Sequence, residues 1–330
     1  MTRRLAPTST GAPGQIRITS VSGGTLQQMD GDAGLARLPA LLAEPESTVW
    51  VDLTSPSPAQ VEAIGVTLGL HPLIIEDVLE GNQRAKIEST DGVIHLVLFA
   101  LHHGERFLAS EVDLVLGLGF LLTVHDATWD PRATHHLRKS LASVMAQGPD
   151  HLLWSLSDGI VDDYFPFADE LGEALDAVQD AVIGQASPKA LEELFALKRE
   201  LLEVRRAASP TREVFNQLTN RDLPLIDEAE LVYFRDVYDH VIRLTDELDN
   251  YRELASSTLD VYLTQVNNNL SIVVKRLTGV TVILAGIGAL AGLFGMSEAA
   301  VELGSFWLVA GTIIGLAGVA AVVLRRIDWL

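Results

Sequence analysis

The chain has 330 residues, 48% of them hydrophobic, and no cysteine. It is long enough to bury a sizeable core, and it offers no disulfide framework, thiolate metal site or cysteine nucleophile. Its 44 acids against 24 bases give a net charge of −20, which argues against a nucleic-acid binder and points to cationic partners or a heavily solvated surface.

Residues 1–15 are polar and rich in proline and glycine with no apolar core, so they read as a disordered lead and not a signal peptide. Residues 16–150 alternate element types and predict an α/β domain with a mostly antiparallel or mixed sheet. "STVWVDL" (47–53) reads as a strand. "SPAQVEAIGVTLGL" (57–70) reads as a helix with Ser57 as its cap and Pro58 in its first turn. "GVIHLVLFAL" (92–101) and "SEVDLVLGLGFLLTVH" (110–125) read as further strands, the second run folding back at Gly117 and Gly119. That Gly-x-Gly lacks a third glycine and a following helix, and no Gly-x-x-x-x-Gly-Lys-Ser/Thr loop is present, so an ATP-driven pump is disfavoured. His102-His103 and His135-His136 lack the spacing of a helical metal site and carry no assigned role.

Residues 151–225 turn helical. Leu153, Leu156, Ile160, Tyr164, Phe167, Leu171, Leu175, Val178 and Val182 step by three and four, predicting one amphipathic helix. Its other face carries Asp158, Asp162, Asp169, Glu173, Asp176 and Asp180. A second helix is expected from Pro188 to about Ala208 and a third from near Pro210, because proline suits a helix start. From Ile226 onward no proline occurs. Val237, Val241, Leu244, Leu248, Tyr251, Ala255, Thr258 and Tyr262 form a coiled-coil-like seam, so residues 226–296 read as one very long helix. "VNNNLS" (266–271) is its weakest point, since Asn and Ser favour caps.

Two stretches have no charge, Leu277–Met296 and Leu303–Leu324. At about 1.5 Å rise per residue each can cross a hydrocarbon core of about 30 Å. Lys275 and Arg276 precede the first, Arg325 and Arg326 follow the second, and the loop 297–303 carries no base. The positive-inside rule therefore places both ends in the cytoplasm, with a second span at 304–324 and a short cytosolic tail at 325–330. Trp307 and Trp329 suit the two headgroup regions, and glycine-rich sides on both spans suit close helix packing. Two spans cannot enclose a pathway alone, so transport requires an oligomer. The whole is an α+β membrane protein, an N-terminal cytosolic α/β domain joined by a long stalk helix to the first of two C-terminal transmembrane helices.

Several phrases in order resemble the CorA family of divalent-cation transporters. They are "LHPLIIEDVLEGNQRAKIE" (70–88), "GFLLTVH" (119–125), "SDGIVDDYFPFADELGEALD" (157–176), "YFRDVYDHVIRLTDELDNYRELASSTLDVYLTQVNNNLS" (233–271) and the C-terminal "WL". The resemblance implies a homopentamer in the inner or plasma membrane that carries Mg2+, often Co2+ and Ni2+, with a Zn2+ branch, and that is not an enzyme. It places Gly295, Met296 and Ser297 at the outer pore mouth, with Glu298 and Glu302 as an acidic ring around it. It makes Asn268, Ser271, Val274, Leu277 and Ala285 the pore-lining stripe. It implies a regulatory Mg2+ between subunits, held by Glu76, Asp77, Asp162 or Asp163, and Asp236.

The chain departs from the family pattern. Ser297 stands where the signature has Asn, and Ser271 where a second stalk Asn is usual. Mg2+ dehydrates reluctantly, so a filter offers oxygen ligands to the hydrated ion, and a short serine hydroxyl contacts it less closely than an Asn amide. Zn2+ or another transition metal, and a non-conducting membrane-anchored sensor, therefore stand beside Mg2+ transport.

Overall fold

The structure is a computed structural model that describes residues 14–81, 83–102, 108–296, 306–327 and 329. The described residues fall into two compact units, Met1–Asp176 with Phe195–Ala255, and Ala177–Leu194 with Ser256–Leu330.

The first unit is built on a seven-stranded sheet in the order β2-β1-β3-β7-β6-β5-β4. Its strands are β1 (Gln15–Ser22), β2 (Thr25–Asp30), β3 (Thr48–Thr54), β4 (Lys86–Thr90), β5 (Val93–His102), β6 (Leu108–Gly117) and β7 (Phe120–His125). Only the β3–β7 pair is parallel, so the sheet is mixed, as the alternating element types predicted. The glycine-rich corner at 117–119 closes the β6–β7 hairpin. Gly119 adopts φ 76°, and a Cβ at Gly117 would lie 2.2 Å from the Phe120 ring, so both positions require glycine.

Strand alternation divides the core between the two faces of the sheet. Val49, Val51 and Leu53 of β3 join Ile64 of helix α2 (Pro58–Thr67) and Ile74 of helix α3 (Pro72–Glu80), with Leu38 of helix α1 (Gly31–Leu42) beside them. Trp50 of β3 points the other way and packs with Leu96, Leu98 and Leu114, covered by later helices. α2 begins as predicted, with Ser57 accepting from the Gln60 backbone and Gln60 reaching back to Ser57, and it ends sooner, at Thr67.

The helices after the sheet are α4 (His135–Met145), α5 (Pro149–Asp162), α6 (Tyr164–Gly184), α7 (Pro188–Asn220), α8 (Leu231–Met296) and a last helix, α9 (Phe306–Arg326). Two helix boundaries differ from those the sequence predicts. The single amphipathic helix after Asp150 is two, divided at Asp163, each half burying its own apolar stripe. The two helices expected around Pro210 are one, since α7 runs through it. A proline inside a helix costs about 3 kcal/mol. Here Ala207, Ala208, Val214 and Phe215 on either side are fully buried in the core, and their packing outweighs that cost.

α8 is 66 residues long and continuous through "VNNNLS". Phe234, Val237, Val241, Leu244 and Leu248 are 0% exposed. Each contributes about 1.5–3 kcal/mol of burial, which is what holds the first turns of α8 in the core. Beyond Ala255 the character changes: Leu270, Val273, Leu277 and Leu284 are each 60% exposed or more. The most apolar window of this helix has a mean hydropathy of 1.8 and is 6% buried. Among the described residues it is the one helix long and apolar enough to cross a membrane. α9 is also apolar and carries Arg325 and Arg326 in its last turn.

Candidate metal centres

The acids of the predicted regulatory set lie in two places. The first is where α5 meets α8. Asp158 and Asp162 are one turn apart on α5, and Asp236 and His240 are one turn apart on α8, so each pair shares a helix face. One carboxylate oxygen each from Asp158 and Asp162 and one ring nitrogen of His240 lie within 4.8 Å of one another. His240 Nδ1 is 3.5 Å from Asp162 Oδ1, and its Nε2 is 3.9 Å from Asp236 Oδ2. Asp158 is buried, and its Oδ2 is 2.8 Å from Nε2 of His136 on α4.

The electrostatics of this cluster favour an added cation. Burial pushes the Asp162 carboxyl above its usual range, and the neighbouring Asp158 charge pushes it further. Asp163 is raised for the same two reasons, burial and then Asp162. Two carboxylates that resist ionising together form a ligand pair for a hard cation, and His240 adds a nitrogen donor. Asp163 itself is outside the group.

Glu76 and Asp77 lie on α3. Glu76 is exposed. Asp77 Oδ2 accepts a hydrogen bond from Lys86 Nζ at 2.5 Å and lies in a second group, with Glu88 and His95. Of the predicted metal residues, then, the structure unites Asp162 with Asp236 through His240 and keeps Asp77 in a separate cluster.

Sequence reasoning passed over Asp158, His136, His240, Glu88 and His95. Asp-x-x-x-Asp on α5 and Asp-x-x-x-His on α8 were both readable as ligand pairs on one face. The link from His136 to Asp158 depends on how α4 lies on α5, which no local pattern carries.

The predicted pore-lining residues Asn268, Ser271, Val274, Leu277 and Ala285 all lie on α8 and are all exposed in the single chain. Val274 is 52% and Leu277 66% exposed. Gly295 and Met296 are the last two residues of α8. Ser297, Glu298 and Glu302 lie outside the described residues, as does the loop that carries them.

Known proteins share this layout. The sequence profile described as CorA-like Mg2+ transporter protein matches residues 45–326. The "Cobalt/magnesium transport protein CorA" of Thermotoga maritima is 32% identical over 293 residues, 85% of this chain and 83% of the relative. A putative metal ion transporter of Bacillus subtilis is 28% identical over 250 residues, 75% of this chain and 78% of the relative. The solved structure of the CorA magnesium transporter from Methanocaldococcus jannaschii superposes with a TM-score of 0.79 at 19% identity, covering 97% of this chain and 99% of that one. The chain therefore belongs to the CorA-like Mg2+ transporter family, whose members move divalent metal cations across membranes and are not enzymes.

Proposed function

We propose that the chain is one subunit of a homopentameric divalent-cation channel of the inner or plasma membrane that admits Mg2+, and to a lesser degree Co2+ or Ni2+, into the cytoplasm. The observation that carries this reading is α8. One uninterrupted helix begins in the buried core of the first unit and ends in an apolar stretch whose side chains are exposed in the single chain. Exposed leucine and valine at that density need lipid or further subunits to cover them. Lys275 and Arg276 before that stretch, and Arg325 and Arg326 at the end of α9, support two spans with both termini in the cytoplasm.

In the oligomer, Asn268 and Ser271 supply a polar ring at the membrane boundary. Val274 and Leu277 narrow the path to an apolar constriction that closes by dewetting. Outside, Gly295, Met296 and Ser297 meet the hydrated ion, and Glu298 and Glu302 concentrate cations around them. On the cytosolic side, subunits of net charge −20 repel one another. Mg2+ at Asp158, Asp162 and Asp236 relieves that repulsion and holds the closed arrangement, and its loss lets the subunits part.

A second reading, transport of Zn2+, is supported by Ser297 in place of Asn and by the imidazole of His240 beside the acids. One relative, 23% identical over 185 residues, is the zinc transport protein ZntB of Pectobacterium carotovorum. Uptake of Mg2+ into liposomes holding the purified protein, with Zn2+ and Co2+ as competitors, tests both readings. Mg2+ uptake inhibited only weakly by Zn2+ supports the first, preferential Zn2+ uptake the second, and no divalent flux on any gradient defeats both.

A further inference from the structure

Lys86 and Glu88 alternate on β4, so both point to one face of the sheet. Glu88 is the cross-strand partner of His95 on β5. Lys86 pairs with Val97, which in turn pairs with Asp113 on β6. α3 covers this face, its Ile74 packing in one cluster with Val93 and Val115, and it brings Asp77 to the same place. One carboxylate oxygen each from Asp77 and Glu88 and one ring nitrogen of His95 lie within 4.8 Å of one another.

His95 is 0% exposed, and its Nε2 is 2.8 Å from Asp113 Oδ1. An ionised Asp113 accepts the Nε2 proton, the tautomer that leaves Nδ1 as the lone-pair nitrogen. Nδ1 is buried with no hydrogen-bond partner. A carboxylate that fixes one imidazole nitrogen while the other presents its lone pair is the usual support for a metal-ligating histidine. The place of a cation is taken by Lys86, whose Nζ is 2.5 Å from Asp77 and 3.3 Å from Glu88.

We propose that Asp77, Glu88 and His95 form a transition-metal site within one subunit, for Co2+, Ni2+ or Zn2+, which the Lys86 ammonium fills when no metal is bound. One imidazole with two carboxylates suits these borderline cations, whereas Mg2+ keeps its water and prefers oxygen alone. Lys86 and Glu88 also line a cavity of about 450 Å3 with Ser209, Glu213 and Gln217 of α7. The site goes beyond the transport reading.

The test is a Co2+ titration of the full-length protein in detergent, stripped with chelator and held in excess Mg2+, followed by the visible absorption of imidazole-bound Co2+. A His240→Gln background removes the other histidine cluster from the signal. A saturable band is expected. Glu88→Gln should weaken Co2+ binding at least about tenfold, and Lys86→Met, which removes the competing cation, should tighten it. His95→Gln should abolish the band. Unchanged Co2+ affinity in both Glu88→Gln and Lys86→Met overturns the proposal, even if His95→Gln fails to fold. Mg2+ flux is not the readout, so failure here is separate from failure of the transport reading.

Discussion

Replacing Asp162 by Asn tests whether the α5–α8 cluster is strained by its own charge. Its carboxylate oxygen lies within 4.8 Å of one from Asp158. Two unit charges at that distance repel by about 3.5 kcal/mol at an effective dielectric of about 20, and by about 0.9 kcal/mol in water. Asp162 is 46% exposed, so screening by solvent places the real value near the lower end, about 1–2 kcal/mol. Removing one charge should therefore stabilise the metal-free protein by about that amount, a rise in Tm of roughly 2–6 °C in chelator. The same substitution removes a ligand, so the further rise on adding Mg2+ should shrink. Thermal unfolding of the full-length protein in detergent, with chelator and then with Mg2+, reads both effects. A variant whose Tm in chelator is no higher than wild type, and whose Mg2+-dependent rise is undiminished, would refute the reasoning.

Three other substitutions have defined outcomes. A Cβ at Gly172 would lie 2.5 Å from Tyr251 Oη, which now donates to Glu247 at 2.8 Å. Gly172→Ala should cost about 1–3 kcal/mol in chemical denaturation, and Tyr251→Ala beside it should recover part of that loss. Burial alone would lower the pKa of His125, but its bond to Asp52 outweighs burial and the net shift is upward from 6.5. That stabilisation is full below the unfolded value and is lost as pH rises through the folded one, so the Tm cost of His125→Gln should be larger in acid than in alkali. A cost that grows with pH would contradict this assignment. Ser297→Asn should shift competition in the liposome assay toward Mg2+, and unchanged selectivity would remove Ser297 from the filter.

What could be read from the sequence was whatever repeats locally. The seam from Val237 to Leu248 is a three-four period, and its residues are the buried face of α8. Ser57 and Gln60 form their cap within four residues, so no distant contact was needed to foresee it. Pro210 misled, because a proline's local preference for a helix start yields to the packing of Ala207 and Phe215 around it. β1, β2 and α1 left little signal, since β2 is mostly exposed and α1 carries an internal proline at Pro39. Within the acidic cluster the spacing on each helix was legible, but its members are brought together only by the docking of α5, α4 and α8. His95 and Asp113 sit on alternating strand positions that predict apolar residues, and only their pairing across β5 and β6 accounts for both being buried.

The central claim is that one face of α8 lines a path for divalent cations. The chain has no cysteine, so a single one can be placed at will. Val274→Cys and Ile283→Cys lie about 180° apart around the helix at about 100° per residue. Each variant is reconstituted in liposomes, and Mg2+ uptake is measured before and after treatment with a charged thiol reagent. The account predicts that modification stops uptake through Val274→Cys and leaves Ile283→Cys unaffected. Equal block of both variants, or of neither, would contradict it.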